Sequence, residues 1–315
     1  MLRRRKLRYA APMFEINEEP PRSDIMRHNA WESQRDALQV CATALAATSR
    51  DPNTITFSHY TAAQLLGVPI PIGARFDANK AYVTFKTTRR TRAKDIIPRV
   101  WPNTDASGAT IEVHGLLCAS PEALFAQMAK ELSLEDLIEF GDSLVCRDPA
   151  RRRTTLAELR KFIDSCDSFQ GQKQCIRALT QIRENTDSPA ETHLRLLLKR
   201  YGFPEPIINV PVEATGNAAH FIDLAYPRYG IGIEYNGGHH RDQITQDWIR
   251  QNSIQSTEWK IFVVDREILA TPLNLAMFLA CLEQALVSAG AKRFRRRRQP
   301  LSVRELCDGR RNHSK

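Results

Sequence analysis

The segment His220–Gln243, "HFIDLAYPRYGIGIEYNGGHHRDQ", decides how the C-terminal half of this chain folds. Two apolar runs flank Pro227-Arg228-Tyr229-Gly230, a composition that marks a turn between strands. With Tyr226 paired to Ile231 across that turn, Asp223 faces Glu234 and both side chains share one side of the sheet. Asn236, two places on, shares that side. Ile222, Leu224, Ile231, Ile233 and Tyr235 then point the other way, into a core. Like charges directly opposite one another destabilise a sheet, so something must offset the repulsion. A divalent cation with oxygen ligands does so. The alternative is that each acid pairs with one of the chain's many Arg or Lys residues.

The hairpin sits in an ordered run of signals. Ser188 at N-cap, Pro189 at the first helical position and Gly202 as the stop predict a helix over 189–201. Glu191, in its first turn, is the candidate third ligand; as the last residue of Ser188-x-x-Glu191 it also fits a capping box, which alone accounts for it. Strands are expected at 207–213, 219–226 and 231–236, then a helix near 241–256. A strand at 259–265, with Trp259 packing the core at its start, and a helix over 272–289 follow. Hairpin-linked strands followed by a crossover imply an α/β domain, a mixed sheet flanked by helices.

Toward the N-terminus, residues 1–29 read as a basic, irregular lead-in. Residues 30–186 read as a mainly helical α+β domain. Its helices are expected at about 31–47, within "SHYTAAQLLGVPIP", at 121–130, at 133–145, after the Thr155/Glu158 capping box and at 171–184. "AYVTF" (81–85) and "IEVHGLLCA" (111–119) read as its strands. Between these strands lies the basic segment "KTTRRTRAKD", holding Arg89, Arg90, Arg92 and Lys94.

The 315 residues suffice for two domains. The net charge of +9 is concentrated at the ends: +5 in residues 1–9 and +8 in residues 291–315, which leaves −4 for the rest. A basic disordered tail over 291–315, including Arg295, Arg296, Arg297 and Arg298, is therefore expected. Its usual partner is a nucleic acid backbone, and a solvated arm is the alternative. No apolar run reaches a membrane span, and the N-terminus lacks the apolar stretch of a signal peptide. Seven cysteines without a C-x-x-C pair read as reduced thiols, so the expected compartment is the cytoplasm.

"SPAETHLRLLL", "FIDLAYP", "IEYNGGHHR" and "DWIRQNSIQSTEWKIFVV" resemble the PD-(D/E)XK nuclease superfamily, in particular its branch related to very-short-patch-repair endonucleases. The resemblance covers about residues 187–268 and implies a restriction-endonuclease-like domain over 187–290. It also implies metal-dependent DNA cleavage, with Mg²⁺ or Mn²⁺ held by Glu191, Asp223 and Glu234. The motif histidine falls on His240, with His239 beside it, and Asp247 and Arg250 fall on the following D-x-x-R. The superfamily lysine is replaced by Asn236, so His240 or Arg241 is the candidate source of a proton or positive charge. Arg241, Arg250 and the basic segments are the candidate DNA contacts. "FSHYTAAQLLGVPIP", "HGLLCASPEALFAQMAKELSLEDLIEFGDSLV" and "TTLAELRKFI" resemble abortive-infection antitoxins of the type IV class, although residues 1–50 show no clear helix-turn-helix. That resemblance implies a DNA-binding regulator as the alternative function. It leaves a toxin or defence-system protein, or a second copy of the chain in a homodimer, as candidate protein partners.

Overall fold

Pro227–Tyr229 form one 3-10 turn closed by Gly230 in the left-handed region at φ 59°. The strands on either side pair antiparallel with Tyr226 opposite Ile231 and Leu224 opposite Ile233, the register expected from the sequence. The computed structural model describes residues 20, 24–48, 55–88, 93–212, 220–237, 259–291 and 294–308. The fold is α/β with two mixed sheets flanked by helices, and the chain divides into two units, Met1–Glu184 and Asn185–Lys315.

The first unit begins with α1 (Ile25–Thr48), six residues earlier than the expected start. Its strands are β1 (Thr56–Phe57), β2 (Ala81–Phe85), β3 (Ile96–Val100), β4 (Thr110–Val113) and β5 (Leu116–Ala119), in the order β3-β2-β1-β5-β4. The single strand expected over 111–119 is instead a hairpin. His114 and Gly115 both take positive φ, 51° and 73°, and make the two-residue turn between β4 and β5. Helix α2 (His59–Leu65) precedes β2, and α3 (Pro121–Met128), α4 (Leu134–Leu144), α5 (Leu156–Ser165) and α6 (Gln172–Leu179) follow β5. The Thr155/Glu158 capping box forms as expected. Helix α6 ends at Leu179 rather than near 184. Gly141 lets α4 come so close to the 180–184 segment that a Cβ there would meet Ile182 Cδ1 at 2.3 Å.

The second unit opens with α7 (Pro189–Arg200), where Ser188 Oγ accepts the Glu191 N–H and Gly202, at φ 86°, ends the turn that follows. Strands β6 (Ile207–Val212), β7 (His220–Tyr226), β8 (Ile231–Asn236) and β9 (Lys260–Asp265) lie side by side in that order. The first two pairings are antiparallel and β8–β9 is parallel. The helix expected at 241–256 lies outside the described residues. Short α8 (Arg266–Ala270) and long α9 (Pro272–Ser288) complete the order. Leu194 and Leu198 of α7, Leu224, Ile231, Ile233 and Val264 of the sheet, and Phe278, Leu282 and Leu286 of α9 form one core.

One part of the expected alternation fails. Ile222 packs with Val212 and Ala225, near Trp259 and Ile261, and not with Leu224 and Ile233. A Cβ on Gly232 would meet Ile222 Cγ2 at 2.8 Å and Ile261 Cδ1 at 2.6 Å, so Ile222 lies on the Gly232 side of the sheet. Asn209 of the neighbouring strand β6, in the gap between the paired residues Ile208 and Val210, takes φ 49°, a value incompatible with regular pleating.

Residues 294–308 of the basic tail are ordered against α7 and α9, where a disordered arm was expected from charge. Arg297 N–H donates to Tyr201 O at 2.7 Å, Leu301 N–H to Arg200 O at 3.0 Å, and Arg200 Nε to Leu301 O at 2.7 Å. Phe294 lies against Phe203 with ring centroids 5.2 Å apart, and Arg296 Nε is 2.6 Å from Glu283 Oε2. Residues Val303–Leu306 form α10, with its own capping box at Ser302 and Glu305. The apolar residues among the arginines, and the backbone itself, provide the packing that net charge conceals. Phe294→Ala should therefore lower the stability of the full chain by about 1–2 kcal/mol, the scale for losing a half-buried aromatic ring. Urea unfolding checks this; an unchanged midpoint would mean that the tail is not docked.

Candidate active site

Leu224–Ile233 is the last step of regular pairing between β7 and β8, and the next step in that register would be Asp223 with Glu234. Here the Asp223 side chain itself links the strands: its Oδ2 accepts the Tyr235 N–H at 2.8 Å. On the other flank, Ile208 pairs with Leu224 and Val210 with Ile222, which sets Asn209 opposite Asp223. Asn209, Asp223 and Glu234 thus occupy one row across three neighbouring strands. Glu234 is buried, Asp223 is half-buried and Asn236 is exposed.

Glu191 reaches this row from the first turn of α7 and is 4% exposed. Its carboxylate is fully engaged. Oε1 accepts the Ser188 hydroxyl at 2.9 Å, while Oε2 accepts the Asp187 N–H and Asn209 Nδ2–H, each at 2.9 Å. The capping box expected of Ser188 and Glu191 forms in part: Ser188 Oγ accepts the Glu191 N–H, while the Glu191 carboxyl takes the Ser188 hydroxyl and the N–H of Asp187, one residue before the cap. Burial pushes its pKa up to about 8, and the negative charge of Asp223 adds to the rise; the Asp187 N–H and Ser188 hydroxyl act against it. Glu191 is thus mostly protonated at neutral pH.

Asn209 was not singled out in the sequence. Its signal was an Asn inside the strand run "IINVPV", where that residue is disfavoured unless it serves a left-handed backbone or a side-chain bond. Here it does both: Nδ2 also donates to Asn185 O at 2.6 Å.

The structure thus brings Glu191 into electrostatic contact with Asp223 and places Asp223 and Glu234 on adjacent strands. Among the described residues, no three His, Cys, Asp or Glu side chains are grouped closely enough to hold a metal ion. Asn236 is in register with Asp265 of β9, whose carboxylate caps α8 by accepting the Ile268 N–H. His239, His240, Arg241, Asp247 and Arg250 lie outside the described residues, as do Arg89, Arg90 and Arg92. Lys94 is exposed in a turn before β3 of the first unit, and Arg295, Arg297 and Arg298 are exposed on the second.

Comparison of the chain with protein-family models, with curated proteins and with solved structures finds no match. What the site can do is therefore read from its own residues. A buried carboxyl group beside a half-buried carboxylate either shares a proton with it or accepts a cation that displaces the proton.

The raised pKa of Glu191 has a defined consequence. Its protonated form stabilises the fold fully below its ordinary value of 4.5, and that contribution is lost as pH rises through about 8. Glu191→Gln keeps an oxygen for Asp187 and Asn209 but cannot ionise. In chelator, its stability relative to wild type should improve by at least about 1 kcal/mol between pH 5 and pH 9. Parallel stability curves would show that Glu191 does not hold the proton.

Proposed function

We propose that the second unit is a metal-dependent DNA endonuclease of the PD-(D/E)XK type, with Asp223 and Glu234 as principal ligands and Glu191 as the third. The observation that carries this reading is the burial of Glu191 beside Asp223, one strand from Glu234. Glu191 and Asp223 share one field, and Glu234 lies on the next strand.

The residues fit a divalent cation in donor chemistry: all are carboxylate oxygens, and their mutual repulsion is what a dication relieves. When bound, Mg²⁺ or Mn²⁺ would polarise the phosphodiester and activate a water. The chain's own residues set the stage for it. Tyr235 N–H holds one Asp223 oxygen in place. Asn209 and Asp187 hold one oxygen of Glu191, which would be a ligand to the cation in its ionised form. Exposed Asn236 can position a water through its carbonyl or amide but brings no charge. The exposed arginines of the tail contact the phosphate backbone without reading bases.

The second reading is a DNA-binding regulator that keeps this fold without cleaving. Asn236 in the lysine position favours it, as does the absence of a ready three-donor group among the described residues.

Metal-dependent nicking of plasmid DNA separates the two. The wild type should cleave with Mg²⁺ or Mn²⁺ and fall to background in chelator; Asp223→Asn and Glu234→Gln should remain at background with metal. Asp223→Asn retains an oxygen for the Tyr235 N–H and removes the charge next to Glu191. Its metal-free stability at pH 8 should therefore equal or exceed that of wild type, while the Mg²⁺-induced rise in Tm disappears. Calorimetry in buffers of different ionisation enthalpy should show proton release on cation binding that shrinks from pH 7 to pH 9. A wild type whose Tm ignores both metals would support the regulator.

A further inference from the structure

Between α1, the end of α2, β4 and the loop after α4, the first unit holds a cavity of about 360 Å³. That is within the size range of small-molecule sites. Its walls are apolar: Ala30 and Trp31 of α1, Leu65 and Leu66 at the end of α2, and Val113 of β4. Its charged residues are Arg27, Arg151 and Arg153, and no described residue that lines it is acidic.

Two of these guanidinium groups already have carboxylate partners. Asp148 accepts Arg27 Nε and Nη2 at 3.0 Å each and Arg151 Nε at 3.2 Å, which ties α1 to the loop. Asp24 also lies 3.2 Å from Arg27 Nε. Arg153 differs. Its Nε donates to Leu66 O at 2.6 Å and its Nη1 to Ala150 O at 3.0 Å. Gly67 follows at φ 64°, close against Ala30 and Gln34, and Gln34 Nε2 takes the neighbouring Leu65 O at 3.2 Å. Arg153 thus caps a carbonyl that the end of α2 leaves unpaired. Capping uses two of its five N–H groups and supplies no countercharge. The acid whose field reaches Arg153 is Asp148, which two other arginines already hold. Burial lowers the Arg153 pKa, and an anion in the cavity would oppose that by favouring the charged form.

We infer that this cavity binds a small organic oxyanion, a phosphate ester or a carboxylate. Its anionic head takes the Arg153 fork, and its apolar body lies against Trp31, Leu65 and Val113. A planar guanidinium meets either anion with two parallel bonds. The bonds to Leu66 O and Ala150 O hold Arg153 in place before the ligand arrives, which lowers the ordering cost of binding. An inorganic anion would leave the apolar walls wet, and an uncharged molecule would leave Arg153 without a countercharge, so the ligand needs both parts. The inference does not rest on the nuclease reading, which concerns residues of the other unit.

Titration calorimetry of the full chain in chelator tests this with four probes: adenosine monophosphate, naphthoate, adenosine and inorganic phosphate. At least one of the first two should bind with a Kd of roughly 10–100 µM, the scale for a ligand of this size. It should bind at least about tenfold more tightly than adenosine or inorganic phosphate. Preference for adenosine monophosphate or for naphthoate distinguishes a phosphate head from a carboxylate. Arg153→Gln should weaken that binding at least about tenfold, the scale of one charge-assisted bond. Ala150 lines the cavity and is exposed, so Ala150→Phe fills the space and keeps the backbone bonds. That variant should abolish binding at unchanged Tm, and it decides the matter if Arg153→Gln fails to fold. Failure of both organic anions to bind the wild type would overturn the inference. So would binding that survives Ala150→Phe, because the probe then sits elsewhere, or inorganic phosphate binding as tightly as either organic anion.

Discussion

The second unit is organised around one carboxyl group that burial keeps from ionising freely. Glu191 starts a helix, and a helix N-terminus favours negative charge by about 1 kcal/mol or less. That is under one pKa unit, so burial and the neighbouring Asp223 charge prevail and the group holds its proton to about pH 8. The chain offsets the cost with directed donors. Ser188, Asp187 and Asn209 all converge on Glu191, and the Tyr235 N–H turns to Asp223. The start of α7, the slip in β6 and the tip of the β7–β8 pairing are thereby tied to the same few oxygens. Loss of one of these donors leaves a buried oxygen unsatisfied, which is dearer than the bond itself.

The same group explains which parts of the fold were readable beforehand. Turn chemistry and caps are local, so the Pro227–Gly230 turn, the hairpin register and the Ser188, Ser133 and Thr155 caps could all be read from neighbouring residues. The face of Ile222 could not. A two-residue alternation presumes an unbroken pleat, and the pleat of β7 breaks between Ile222 and Leu224. The hairpin at His114-Gly115 was hidden for a related reason: "IEVHGLLCA" is an almost continuous apolar run, and only Gly115 hints at a turn. Strand β3 contains Pro98, which argues against a strand interior. Pro98 is tolerated because β3 lies at the sheet edge, where a missing N–H leaves no partner unsatisfied.

For the candidate site, the sequence contained the carboxylates but not their support. Asp223 and Glu234 stand out because acids are rare in apolar strands, and Glu191 because of its place in the first turn of α7. Neither feature says that Glu191 and Asp223 would share a field, since that depends on how α7 crosses β6 and β7. Asn209 makes the crossing specific, and an asparagine offers no charge or motif by which to be noticed. Its contribution is conformational, through a φ that few residues adopt, joined to a single amide that ties two chain segments together.

The tail shows why charge and structure must be separated before a basic segment is assigned to a partner. Arg296 is engaged with Glu283, whereas Arg295, Arg297 and Arg298 are exposed. Yet the Arg297 N–H bonds to Tyr201 O, and Arg295 O lies 3.0 Å from where a Cβ on Gly202 would stand. The same residues thus brace the end of α7 through their backbone and present guanidinium groups to solvent. Deleting the segment would remove both, and weaker DNA binding after deletion would be ambiguous between lost phosphate contacts and a loosened α7. Replacing Arg295, Arg297 and Arg298 with Gln leaves the backbone bonds in place. A shallower salt dependence in that variant, at unchanged Tm, would then report phosphate contacts alone, because each lost contact removes close to one unit from the slope.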